Sequence, residues 1–112
     1  MHLEGPGKLL SIYLGETDKW HHQPLYVAII ERARREGLAG ATVLRGEAGF
    51  GAHSRIHTAH LLTLSTDLPV VIQIVDSAER IARFRPILDE MVQEGLVTLQ
   101  DVEVVTYRHR DA

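Results

Sequence analysis

Two periods of apolar residues alternate along the chain. From Lys8 to Leu14 they fall on every second position, with Leu10, Ile12 and Leu14 on one side and Leu9, Ser11 and Tyr13 on the other, which predicts a strand. Gly15 to Gln23 is polar and punctuated, and is expected to be a loop. Leu25, Ala28, Ile29 and Ala33 then recur at helical spacing, while Glu31, Arg32, Arg34 and Arg35 face water. Pro24 suits the first turn of that helix, where a backbone N–H would lack a partner, and Gly37 suits its end. Glu31 and Arg35 stand four apart in the favourable order for an ion pair.

The same two periods return in the second half. Ala41 to Arg45, Leu61 to Leu64 and Leu68 to Asp76 read as strands, the last two separated by Ser65, Thr66 and Asp67. Asp76 and Glu79 read as a capping box opening a second helix, with Ile81, Phe84, Leu88 and Met91 as its buried stripe. Pro86 removes one backbone bond inside it and crowds the carbonyl of Ala82, so a kink or break is expected there. Gly95 is the expected stop, and Leu96 to Tyr107 forms a last extended segment. The order β-α-β-β-α-β predicts an α+β, ferredoxin-like sandwich: two helices on one antiparallel sheet.

One strand carries a further implication. In Leu68–Asp76 both alternating sets are apolar, Val70, Ile72 and Ile74 on one side and Val71 and Val75 on the other. Strands of that kind are covered on both faces. Two helices cover one face only, so the expected cover for the other is a second copy of the chain, giving a homo-oligomer packed sheet to sheet.

Composition narrows the class. The chain has 112 residues, the size of one domain, expected to span 1–112 with a core over 7–107 and a flexible loop over 46–60. Hydrophobic residues make up 45% and charged ones 24%, an ordinary globular balance. No apolar run reaches membrane-spanning length, and the start MHLEGPGKLL lacks a secretory core, so no membrane insertion and a cytoplasmic location are expected. The absence of cysteine excludes disulfides, thiolate zinc sites, iron–sulfur clusters and a cysteine nucleophile. A net charge of −3 argues against a dedicated nucleic-acid binder.

Candidate chemistry gathers in the stretch from Gly46 to His60. Gly46, Gly49 and Gly51 follow a strand, where glycine lets backbone N–H groups approach an anion. Arg45 and Arg55 flank them and can pair with phosphate oxygens. The plain alternative is a connection whose glycines only permit tight turns. The lysine–serine pair of a Walker loop and the helix after a dinucleotide fingerprint are both missing. His53, His57 and His60, spaced four and three apart, would share a helix face and could bind zinc or copper there; a solvated histidine-rich loop is the alternative. Trp20, beside Asp18, Lys19, His21 and His22, would either stack on a base or an adjoining subunit or plug the bottom of the helical layer, and the packing role is preferred. Arg108 and Arg110 alternate along the C-terminus and read as solvated. Ser54, His57 and Asp67 lack the setting of a nucleophile elbow, so no catalytic set is assigned and no enzyme is expected.

The stretches KLLSIYLGETDKWHHQPLY, GLAGATVLRGEAGFGAHSRIHTAH, LPVVIQIVDS and PILDEMVQEGLVTLQDVEVV resemble an uncharacterised bacterial and archaeal family of PII-like proteins, from about Lys8 to Tyr107. The resemblance implies a ferredoxin-like homotrimer with sheets facing a central core. It also implies an adenine nucleotide held in the clefts between subunits, with Gly49, Phe50 and Gly51 matching the strand-end Gly-Phe-Gly. By the same likeness the loop Ala52–His60 would contact a partner, such as a membrane transporter, channel or enzyme. Some members are encoded beside fluoride-exporting channels. Gly49, Phe50 and Gly51 from the resemblance, with Arg45, Gly46 and Arg55 from the reading of the residues, make up the candidate ligand set.

The departures also matter. Where classical PII proteins hold phosphates on a glycine- and lysine-rich loop, this chain has Gln93, Glu94, Gly95, Leu96, Val97 and Thr98. That favours a smaller or less charged nucleotide of the AMP or ADP kind over ATP. The more distant CutA-like trimers share the fold and keep a metal site at His53, His57 and His60 as the alternative.

Overall fold

The computed structural model describes residues 3–50, 57–58 and 67–110, with the backbone alone at 57–58. β1 (Gly5–Gly15) leads into a short pair, β2 (Lys19–Trp20) and β3 (Gln23–Pro24), and then α1 (Leu25–Arg35). β4 (Thr42–Arg45) is followed by a second short pair, β5 (Ala48–Gly49) and β6 (His57–Thr58). β7 (Pro69–Asp76), α2 (Ala78–Met91) and β8 (Leu96–Val104) complete the order. The four long strands form one sheet in the order β4-β7-β1-β8, every neighbouring pair antiparallel. With the two short pairs set aside this is the ferredoxin-like β-α-β-β-α-β sandwich.

One face of the sheet makes the core. Leu10, Ile12 and Leu14 of β1 lie in register with Ile74, Ile72 and Val70 of β7. Both helices lay their apolar stripes on these six: Leu25, Ala28, Ile29 and Ala33 from α1, and Ile81, Phe84, Leu88 and Met91 from α2. Phe84, Ile29, Ile72 and Ile74 are fully enclosed. Burial of each such side chain contributes about 1.5–3 kcal/mol, so the core is set by the periodicity that marked these residues.

Helix ends differ in detail from the expectations. Pro24 is the N-cap of α1, one residue before its first turn. At the other end Gly37 adopts φ 84°, while its N–H reaches Arg34 O (3.1 Å) and Leu38 N–H reaches Ala33 O (3.1 Å). This is a Schellman closure, and it needs the left-handed residue that glycine supplies. The ion pair on α1 is Arg32–Glu36 at 2.8 Å, one position on from Glu31 and Arg35. α2 is capped by Ser77, whose Oγ accepts from Arg80 N–H at 3.2 Å, and not by Asp76. Pro86 does not end the helix, which runs on to Met91. Both Pro86 and Ala82 are exposed, so the carbonyl left without its N–H lies on the wet side. α2 then closes at Val92, before the Gly95 expected to stop it. The stretch Gly15 to Gln23 is not simply a loop, since β2 and β3 form within it. The expected strand Leu61–Leu64 lies outside the described residues.

The second face of the sheet is open in the single chain. Leu44, Val71, Tyr13 and Leu96 line up across all four strands, one from each. Leu44 is 51% exposed and Leu96 56%. Next along comes a polar row of Thr42, Gln73, Ser11 and Thr98, then Val75 and Leu9.

Candidate functional site

The register places four strand ends at one edge of the sheet. β1 runs out at Gly15 opposite Pro69, β4 ends at Arg45 opposite Val70, and β8 begins at Leu96 opposite Tyr13. The connections after β1, after β4 and before β8 therefore start or end at the same end of the sheet, and among the sequence-predicted residues Arg45 and Gly46 stand there.

Arg45 projects from the end of β4 and its Nη2 donates to Glu16 Oε2, a residue from the connection after β1. The arginine side chain is 55% exposed and the glutamate 24%. Exposed pairs of this kind contribute roughly 0.2–1 kcal/mol, so Glu16 orients the guanidinium without locking it. No spacing rule links residues 29 apart in sequence, and Glu16 was accordingly missed.

Gly46 and Gly49 have a structural reason that sequence could not supply. A Cβ on Gly46 would lie 2.8 Å from Pro69 Cγ, and one on Gly49 3.2 Å from the same atom. Gly46 N–H donates to Pro69 O at 2.7 Å. That N–H is therefore held by β7 and does not point toward a ligand. Gly49 pairs with His57 across β5 and β6, and Phe50 beyond it is 70% exposed. Gly51, His53, Arg55 and His60 lie outside the described residues, as does the side chain of His57. The backbone of His57 is extended, so this histidine does not sit on the helix that a shared metal-binding face requires. Among the described residues no group of three metal-ligating side chains comes together.

The connection after β1 is braced by carboxylates. Gly15 N–H donates to Asp18 Oδ2 at 3.0 Å, and Thr17 N–H to Asp67 Oδ1 at 3.0 Å. A Cβ on Gly15 would meet Asp67 Oδ1 at 2.7 Å, so only glycine admits this approach. Trp20 packs against the core, as preferred from sequence, and also stacks on His21 with ring centroids 4.4 Å apart. Arg108 and Arg110 are exposed, while Tyr107 ties the C-terminal stretch to the α1–β4 connection through Oη to Ala39 O at 2.9 Å.

Comparison with known proteins places this geometry. The sequence matches the DUF190 family (uncharacterized ACR, COG1993) over residues 7–104. A UPF0166 protein of Aquifex aeolicus is 43% identical over 100 residues, covering 88% of this chain and 92% of the relative. Another, from Methanocaldococcus jannaschii, is 39% identical over 98 residues, covering 87% and 90%. Among solved structures, CPII, a nitrogen regulatory PII-like protein from Thiomonas intermedia K12 bound to ADP, AMP and bicarbonate, superimposes with TM-score 0.63 at 23% identity over 90% of each chain. A protein described as PII-like and signaling, from Thermus thermophilus, gives TM-score 0.65 at 21% identity over 94% of each. The fold is thus PII-like, and the chain belongs to the DUF190 family.

Proposed function

We propose that this protein is a non-enzymatic regulator. In this reading it assembles as a homotrimer, binds a small adenine nucleotide at the clefts between subunits, and acts on a partner, a transporter or an enzyme, through the loop 46–60. One observation carries the reading: Arg45 stands at the sheet edge from which that loop departs, in a PII-like fold. Its guanidinium is exposed enough to leave Glu16 for a phosphate, a stronger, bidentate partner. The ADP and AMP bound by CPII, which is 23% identical to this chain, support an adenine nucleotide. The connection 92–95 holds Gln93 and Glu94 and no lysine, which favours AMP or ADP over ATP. The open row Leu44, Val71, Tyr13 and Leu96 supports assembly through the sheet.

Chemically, the ligand would act as an order-giving contact, with the free energy of its binding selecting one arrangement of the 46–60 loop. The test is a thermal-shift series on chelator-treated protein with AMP, ADP, ATP, zinc and copper. A ligand at a hundred times its dissociation constant adds about 2.7 kcal/mol to the native state. AMP or ADP is expected to raise the melting temperature by several degrees, and Arg45→Gln to reduce that rise at least tenfold in ligand concentration. A shift with metals alone would replace this reading with the histidine site.

A further inference from the structure

The connection from α1 to β4 enters β4 at the end away from Arg45, and a cleft of about 360 Å³ opens there between the end of α1 and the first turns of α2. Glu36, Gly37 and Leu38 line it from one side, Arg80 and Arg83 from the other. Phe84, fully enclosed in the core, and Leu38, packed against that core, give it an apolar floor. The volume falls within the range of small-molecule sites, and an apolar floor with a few polar groups is their usual make-up.

Two of the three charged groups lining the cleft are committed within the protein. Glu36 Oε2 accepts from Arg32 Nε at 2.8 Å. Arg80 donates from Nη1 to Gly37 O at 3.2 Å, and its Nε stands 4.0 Å from the enclosed carboxylate of Asp76. Arg83 is different. It is exposed and makes no ion pair among the described residues, although Glu79 stands one turn before it in the order that favours one. Three arginines, Arg32, Arg80 and Arg83, thus face two carboxylates, Glu36 and Asp76, which leaves one positive charge beside the apolar floor.

We infer that this cleft binds a small organic monocarboxylate, with its carboxylate on the Arg83 guanidinium and its hydrocarbon body over Phe84 and Leu38. A guanidinium meets a carboxylate through two parallel N–H···O bonds. A phosphate dianion would set its second charge beside Glu36 with no further uncommitted cation to meet it, and has no apolar body for the floor. None of Arg45, Gly46, Gly49 and Phe50 lines the cleft, nor does any residue of the 92–95 connection. The site is therefore separate from the nucleotide reading and does not rest on it.

The probe is 2-naphthoate, titrated into isotope-labelled protein and followed by NMR at the backbone amides of Leu38 and Arg83. It is expected to shift both signals saturably. The neutral 2-naphthamide keeps the body without the charge, and acetate the charge without the body, so each is expected to bind at least tenfold more weakly. Inorganic phosphate is expected to leave these signals in place. Arg83→Gln, at an exposed position, is expected to melt with the parent and to weaken naphthoate binding at least tenfold. Glu79→Gln removes the carboxylate that competes for the guanidinium and is expected to tighten binding about twofold. Arg45→Gln is expected to leave it unchanged. Absence of a saturable shift, equal binding of naphthamide or phosphate, or unchanged affinity in Arg83→Gln overturns the inference. Loss of naphthoate binding in Arg45→Gln would place the ligand at the other end of the sheet and overturn it as well. The thermal shift with AMP judges the nucleotide reading separately.

Discussion

Asp76 is fully enclosed and accepts two backbone N–H groups, from Ser77 at 2.7 Å and from Ala39 at 2.8 Å. The second of these holds the α1–β4 connection against the start of α2. Removing the carboxylate leaves two part-buried donors without this partner, each worth about 1–3 kcal/mol at full burial, and takes the charge from Arg80 Nε, 4.0 Å away. Asp76→Ala is therefore expected to lower stability by about 3 kcal/mol, read as the urea midpoint at constant slope, with Asp76→Asn losing less because one acceptor oxygen remains. The spacing of Asp76 and Glu79 points to Asp76 as the cap, whereas Ser77, an equally good capping type, takes the position. The alternation Val70, Ile72, Ile74, Asp76 decides between them, because it turns Asp76 inward on β7 and leaves Ser77 to take the cap. That choice depends on which face of the strand meets the core, and the short-range capping pattern does not contain it.

At the scale of elements, α2 shows how packing overrides a local penalty. A proline inside a helix costs about 3 kcal/mol, yet Ile81, Phe84, Leu88 and Met91 are buried on both sides of Pro86 and hold the helix continuous. Pro86→Ala restores the N–H toward Ala82 O and gives back less than 1 kcal/mol through a freer unfolded chain. It is expected to stabilise the protein by about 2 kcal/mol. Calorimetry showing a lower melting temperature would mean that the proline ring is part of the packing. The β2–β3 pair was illegible for the opposite reason. Its turn carries neither Asn nor Gly, and left-handed residues with side chains cost roughly 1–2 kcal/mol each. Only tertiary contacts, Trp20 against the core and His21 against Trp20, compensate for a turn that propensity does not announce.

For the molecule as a whole, the decisive feature is the uncovered sheet face. The row Leu44, Val71, Tyr13 and Leu96 spans four strands, and Tyr13 is 42% exposed. Contiguous apolar surface of this kind marks an interaction site. Charges placed there should break assembly and spare the fold, since the core lies on the other face. The pair Tyr13→Glu, Leu44→Glu is expected to sediment as a 12.5 kDa monomer with unchanged far-ultraviolet circular dichroism, whereas the parent sediments as an oligomer. A parent that is itself monomeric at micromolar concentration would remove the sheet-to-sheet assembly.

The sequence by itself determined the fold class, the helix stripes and the two alternating sets of β1 and β7, though not which set faces the helices, because burial repeats with the period of each element and that period survives in the order of residues. It also announced the α1 stop at Gly37, where one residue type meets one backbone requirement. Tertiary structure decided the rest of what the described residues carry. It set Glu16 against Arg45, pressed Pro69 on Gly46 and Gly49, and brought α2's end over the Trp20–His21 pair. These contacts join segments far apart in the chain, and their geometry follows from how the strands register and twist, which no local window of residues contains.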